Sequence, residues 1–198
     1  MLGIDVSEHQ EEVDWQAVKA AGMEYVIIRV GYRGYGEGTL NLDAMAQSYY
    51  EGAKAAGLKI GAYFFSQAMN TAEAEEEADF LLDAVADWEI DLPLVFDWEY
   101  ISSDARTGDM DPRTLTDCTI AFCERVKAAG YTPMIYFNQS QSRYLLHLAE
   151  LKQYDFWLAM YSDRMTYPYK LTMWQYTCTG QVPGIEKEVD INLWFTYE

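Results

Sequence analysis

Apolar and polar positions along this chain follow two periods. Short runs of β-branched and aromatic residues, such as Tyr25–Gly31 and Leu94–Phe96, read as strands buried on both faces. Between them lie longer stretches with apolar residues three and four apart, the pattern of helices packed on one side. One phrase recurs: "AVKAAGMEYVIIRVGY" at 17–32, "GAKAAGLKIGAYFFSQ" at 52–67 and "RVKAAGYTPMIYFNQS" at 125–140. Each pairs a helix tail ending in Ala-Ala-Gly with a buried strand, and the Gly suits the left-handed position just past a helix end. Helix, Gly, strand, repeated, predicts βα units and a parallel sheet.

Extended along the chain, the pattern predicts strands at Leu2–Val6, Tyr25–Gly31, Ile60–Ser66, Leu94–Glu99, Pro133–Asn138, Phe156–Tyr161, Leu171–Thr177 and Val189–Phe195. Helices are expected at Asp14–Ala21, Leu42–Ala56, Thr71–Ala86, Pro112–Ala129 and Ser140–Leu151. Asp111-Pro112 supplies an N-cap followed by Pro at the first helical position, and Asn70 with Glu73 resembles a capping box. After the sixth strand the links are too short for helices. The expected architecture is therefore a single α/β, TIM-like barrel over residues 1–198 whose last three strands lack helices. The link into the last strand spans only about ten residues and contains Gly180, Pro183 and Gly184, which suits an antiparallel neighbour.

Chemistry in such barrels sits where the parallel strands end. Asp5 ends the first strand, and Asp97 and Glu99 end the fourth in "PLVFDWEY". Side chains alternate, so Val95, Asp97 and Glu99 share the face turned into the barrel, while Leu94, Phe96 and Trp98 pack under helices. An antiparallel last strand would begin at the same rim and add Asp190 to that mouth. Four acids around one cleft cannot all ionise cheaply, so at least one should keep a proton near neutral pH. A protonated acid beside ionised ones is what glycosidic bond cleavage requires. Tyr63, Phe65, Tyr136 and Trp174 are candidate sugar-binding rings, with Trp157 nearby.

Composition narrows the partners. The 198 residues carry 32 acidic against 14 basic side chains, a net charge of -18 that disfavours nucleic acid and anionic membranes. No apolar run reaches the roughly 18 residues of a membrane span, and no signal peptide is visible at Met1–Ile4. That start leaves a cytosolic protein, one released by another route, or a mature domain without its leader. Cys118, Cys123 and Cys178 lack disulfide or zinc spacing, and only His9 and His147 are available, which argues against a histidine-based metal site or triad; no cofactor or metal is expected. A monomer is expected.

The motifs "GIDVSEHQ", "YVIIRVGY", "GAYFFSQA", "VFDWE", "MWQYT" and "VDIN", in this order, resemble the glycoside hydrolase family 25 lysozymes along essentially the whole chain. The resemblance implies a flattened (β/α)5β3 barrel and an N-acetylmuramidase that cuts the β-1,4 bond from N-acetylmuramic acid to N-acetylglucosamine in peptidoglycan. It makes Glu99 the general acid and Asp97 its partner carboxylate, with Asp5 and Asp190 tuning Glu99 and lining the cleft. It also implies action on the cell wall, by a protein that is extracellular or released. Many members carry separate wall-binding modules, and none is encoded in these residues. Two rivals are a chitinase-like or other glycosidase on a related barrel, and a catalytically silent sugar-binding barrel. In chitinase-like enzymes a longer acidic series leads into the Glu, whereas here Leu94, Val95 and Phe96 precede Asp97.

Overall fold

The computed structural model describes residues 1–195. Eight strands close into a barrel: β1 (Leu2–Val6), β2 (Tyr25–Arg33), β4 (Lys59–Ser66), β5 (Leu94–Trp98), β6 (Pro133–Asn138), β7 (Asp155–Ala159), β8 (Met173–Gly180) and β9 (Val189–Trp194). Neighbours from β1 through β8 are parallel, while β9 runs antiparallel to both β8 and β1 and closes the ring. The short-link argument for an antiparallel last strand therefore holds. A three-residue strand that the sequence pattern did not predict, β3 (Leu40–Leu42), lies antiparallel along β2 outside the ring. It takes up Leu42, which had been expected to start a helix.

The helices are α1 (Trp15–Ala20), α2 (Ala46–Ala55), α3 (Thr71–Ala84), α4 (Pro112–Ala128), α5 (Gln139–Tyr144) and α6 (Leu148–Leu151). The three Ala-Ala-Gly signals act as helix stops: Gly22, Gly57 and Gly130 have φ of 95°, 73° and 91°. After α2 and α4 the following amides bond back to the Ala53 and Val126 carbonyls, completing Schellman turns that turn the chain into the next strand. Asp111 caps α4 through the Arg113 and Thr114 amides, ahead of Pro112. Asn70 caps α3 as expected, but the Glu73 carboxylate reaches the Met69 amide and not that of Asn70. Reciprocal capping boxes form instead at Ser7–Gln10 and Asn138–Gln141.

The helix expected over Ser140–Leu151 is two helices. The Leu145 and Leu146 amides both bond to the Gln141 carbonyl, ending α5. Leu145 packs toward the cluster under α2–α4, whereas Leu148 and Leu151 pack behind β6 and β7. One straight helix cannot serve both directions. The barrel wall separates two apolar layers. Ile4, Val26, Ile28, Phe64, Phe96 and Trp98 face α1–α4, while Tyr25, Ile27, Val95, Met134, Trp157 and Met173 fill the interior. Each buried large side chain contributes about 1.5–3 kcal/mol. Gly3 keeps the interior fillable, because a Cβ there would stand 2.5 Å from the Tyr25 ring. No helix among the described residues is long and apolar enough to cross a membrane.

Candidate active site

The strand register brings the sequence-predicted acids together. Asp5 on β1 is the direct cross-strand partner of Asp190 on β9. Asp97 is the inward residue near the end of β5, and Glu99 follows one turn of the alternation later, just beyond the strand. All four line one cavity of about 340 Å³ at the mouth of the barrel. Leu94, Phe96 and Trp98 pack beneath the helices, as alternation along the strand requires. Asp5 and Asp97 are buried, at 5% and 6% exposure, whereas Glu99 is half-buried and open to the cleft.

Asp5 sits in a network of neutral donors. Asn192 Nδ2 and Gln175 Nε2 both donate to its Oδ2, at 2.7 and 3.0 Å. Gln175 Oε1 in turn accepts from the hydroxyls of Tyr136 and Tyr161, at 2.9 and 3.0 Å, and Asn192 Oδ1 accepts from the Trp157 indole at 2.8 Å. These fixed donors favour the Asp5 carboxylate, although burial still pushes it up to about 6. Asp190 shares a hydrogen bond with Asp5, and burial together with the Asp5 charge pushes it up to about 9. Two acids directly opposite across a strand pair cannot both ionise cheaply, so the shared proton rests on Asp190.

Burial, then the charges of Glu99 and Asp5, raise Asp97 well above the usual carboxylate range, with the Arg29 charge pulling the other way. Burial and the Asp5 charge raise Glu99. One oxygen of Asp97, Oδ1, is buried without a hydrogen-bond partner. The arrangement can therefore hold a proton on a half-buried acid that opens to the cleft, beside an acceptor oxygen without a partner. Among the described residues no group of three or more His, Cys, Asp or Glu side chains is arranged to hold a metal ion.

Of the predicted rings, Tyr63, Phe65 and Tyr136 border this cavity, and Trp157 forms part of its floor. Trp174 is a correction. In β8 Met173 and Gln175 face the interior, so alternation turns Trp174 outward. Its indole donates to the Met160 carbonyl at 2.8 Å within the layer behind β6 and β7. Sequence reasoning missed Gln175 and Asn192, which reach Asp5 across 170 and 187 residues. It also missed Arg29, which borders the cavity and is held by Asp43 at 2.8 Å and Glu8 at 3.1 Å. Its place inside the otherwise apolar run of β2 was the available signal, since a buried cation needs partners.

Two amides hold the backbone that carries Glu99. Gln67 Nε2 donates to the Glu99 carbonyl at 3.1 Å, and Gln141 Nε2 donates to the Trp98 carbonyl. Gln67 is itself fixed, since its Oε1 accepts from the Thr107 hydroxyl at 2.5 Å and its amide N–H donates to Glu77 at 3.2 Å. Glu77 is paired with Arg33 at 2.7 Å.

Comparison with known proteins gives one consistent result. The profile of Glycosyl hydrolases family 25 matches residues 4–185. Lysozyme M1 of Streptomyces globisporus is 30% identical over 203 residues, covering 96% of this chain and 66% of that protein. The chain thus spans slightly less than two thirds of that relative. The modular autolysin LytC from Streptococcus pneumoniae, solved in complex with a synthetic peptidoglycan ligand, superposes with a TM-score of 0.85 at 25% identity. That match covers 98% of this chain and 46% of LytC. The bacterial lysozyme from Streptomyces coelicolor superposes with a TM-score of 0.80 at 28% identity, covering 98% of this chain and 91% of that one.

Proposed function

The chain belongs to glycosyl hydrolases family 25, and from that premise we propose that it hydrolyses bacterial peptidoglycan at the β-1,4 bond between N-acetylmuramic acid and N-acetylglucosamine. The supporting observation is the acid cluster: a half-exposed Glu99 raised by burial and by Asp5, beside buried Asp97 with a free acceptor oxygen. Residues 1–198 are read as one catalytic unit working as a monomer. Peptidoglycan lies outside the cytoplasmic membrane, so the protein acts at the cell wall.

In this reading Glu99 protonates the glycosidic oxygen as the bond to the anomeric carbon breaks. Asp97 faces the positive charge that builds there. That charge offsets the repulsion between Asp97 and its acidic neighbours, so the ionised form of Asp97 is stabilised more in the transition state than in the free enzyme. Its vacant Oδ1 accepts a hydrogen bond from the substrate, for which the 2-acetamido N–H is the suited donor. Asp5 and Asp190 keep negative charge and one shared proton at the back of the cleft, which holds Glu99 protonated before the reaction. Tyr63, Phe65 and Tyr136 supply apolar faces for the sugar rings.

The test incubates wild type and Glu99→Gln with purified peptidoglycan and identifies the new reducing ends. Wild type should release N-acetylmuramic acid ends, and the variant should be slower by about 10²–10⁴-fold, the range for loss of a general acid. N-acetylglucosamine ends would overturn the assigned bond. Binding without cleavage by wild type would overturn the enzymatic reading.

A further inference from the structure

We propose that a second groove beside the catalytic cleft binds the carboxylate-bearing peptide stem of peptidoglycan. This rests on the muramidase reading. The groove has a volume of about 970 Å³ and lies between α5–α6 and the segment leading into β8. Aromatic side chains of Tyr154, Phe156, Tyr167 and Tyr169 form much of its wall, and Arg143, Lys152 and Lys170 border it.

Among the described residues three basic side chains and one acidic one line this groove, the reverse of the chain's overall balance. The chain has 14 basic side chains against 32 acidic ones. Among the described residues eight of those 14 face a carboxylate in ion pairs. Arg143 and Lys152 are exposed and have no ion pair among the described residues, yet both stand on this one groove. Among the described residues the one carboxylate on its border, Asp155, already accepts a hydrogen bond from the Thr172 hydroxyl at 2.7 Å. Arg143 and Lys152, exposed on an aromatic groove in a protein of charge -18, are complementary to an anionic, partly apolar ligand.

Continuity with the active site decides which anion. The catalytic cavity shares Glu99, Tyr136 and Tyr161 with a neighbouring cavity of about 630 Å³. That cavity in turn shares Gln139 and Thr166 with the cation-bearing groove. The three cavities therefore adjoin one another, from the one that holds Glu99 to the groove bordered by Arg143 and Lys152. A glycan lying across Glu99 carries its peptide on the lactyl ether of N-acetylmuramic acid, so a stem leaving the cleft sideways follows these cavities. Its free carboxylates meet the cations, and its alkyl portions meet the tyrosines.

The experiment compares wild type with the Arg143→Glu/Lys152→Glu double variant on two substrates: intact peptidoglycan, and the same glycan strands stripped of peptide by an amidase. Both substituted side chains are exposed, and a thermal melt confirms that the variant folds. On intact material KM should rise about three- to tenfold in the variant with kcat little changed, as for a few solvent-exposed charge pairs. On stripped strands the two proteins should be equal. Added salt should raise KM of wild type on intact material and leave the variant nearly unaffected. Equal losses on both substrates, or no loss on either, would overturn the groove assignment. If intact peptidoglycan bearing wall polyphosphate shows the effect but phosphate-free peptidoglycan does not, the stem is the wrong ligand. Failure of wild type to cleave either substrate would refute the muramidase reading instead.

Discussion

Asp190→Asn should make the protein more stable, and only above mildly acidic pH. In the folded protein Asp190 keeps its proton up to about 9, because it is half-buried opposite the Asp5 charge, whereas its ordinary value is 3.8. Between those two values the native state binds a proton that the unfolded chain releases, so wild-type stability falls as pH rises through the window. At pH 7 retaining that proton costs about 4 kcal/mol, at 1.36 kcal/mol per pH unit above 3.8. Partial exposure of Asp190 to the cleft lowers the net figure to about 2–4 kcal/mol. An asparagine amide can donate to Asp5 as the protonated acid does, and it has no proton to hold. Urea unfolding of both proteins from pH 3.5 to 8 should show curves that nearly coincide at the acid end and diverge steadily above it. At pH 7 the variant should melt roughly 4–16 °C higher. A variant no more stable than wild type at pH 7, or a gain independent of pH, would refute the shared-proton account.

Two further outcomes follow from the geometry. Cys178 is exposed on the wall of the catalytic cavity, while Cys118 and Cys123 are buried, so iodoacetamide should label the native protein at Cys178 and block peptidoglycan cleavage. Complete labelling at Cys178 with activity intact would place that residue outside the working cleft. Gln67→Met removes the amide that holds the Glu99 carbonyl and the Thr107 hydroxyl, leaving buried groups unpaired. Stability should fall by about 2–4 kcal/mol and kcat by about tenfold with KM unchanged. If denaturant unfolding shows the stability loss but kcat is unaltered, Gln67 has no positioning role.

The sequence by itself determined the features set by neighbours along the chain. Helix ends were legible because a left-handed residue after Ala-Ala needs glycine, and Gly22, Gly57 and Gly130 adopt that conformation. The inward face of "LVFDWE" was legible because strand alternation is a local rule, and β5 obeys it. The antiparallel last strand was legible from the length of one link. Tertiary structure decided what depends on register and direction between distant segments. Pairing of Asp5 with Asp190, and the reach of Gln175 and Asn192 to Asp5, arise only when β9 inserts between β8 and β1. Trp174 turned outward because the pairing of β8 with β7 and β9 aims Met173 and Gln175 into the barrel, and residues 139–151 split because two separate apolar layers draw them apart. The proton balance of the cleft belongs to this second class as well. A carboxylate's preference for its proton depends on burial and on charges brought close by closing the barrel, and neither is a property of the residue's own sequence neighbours.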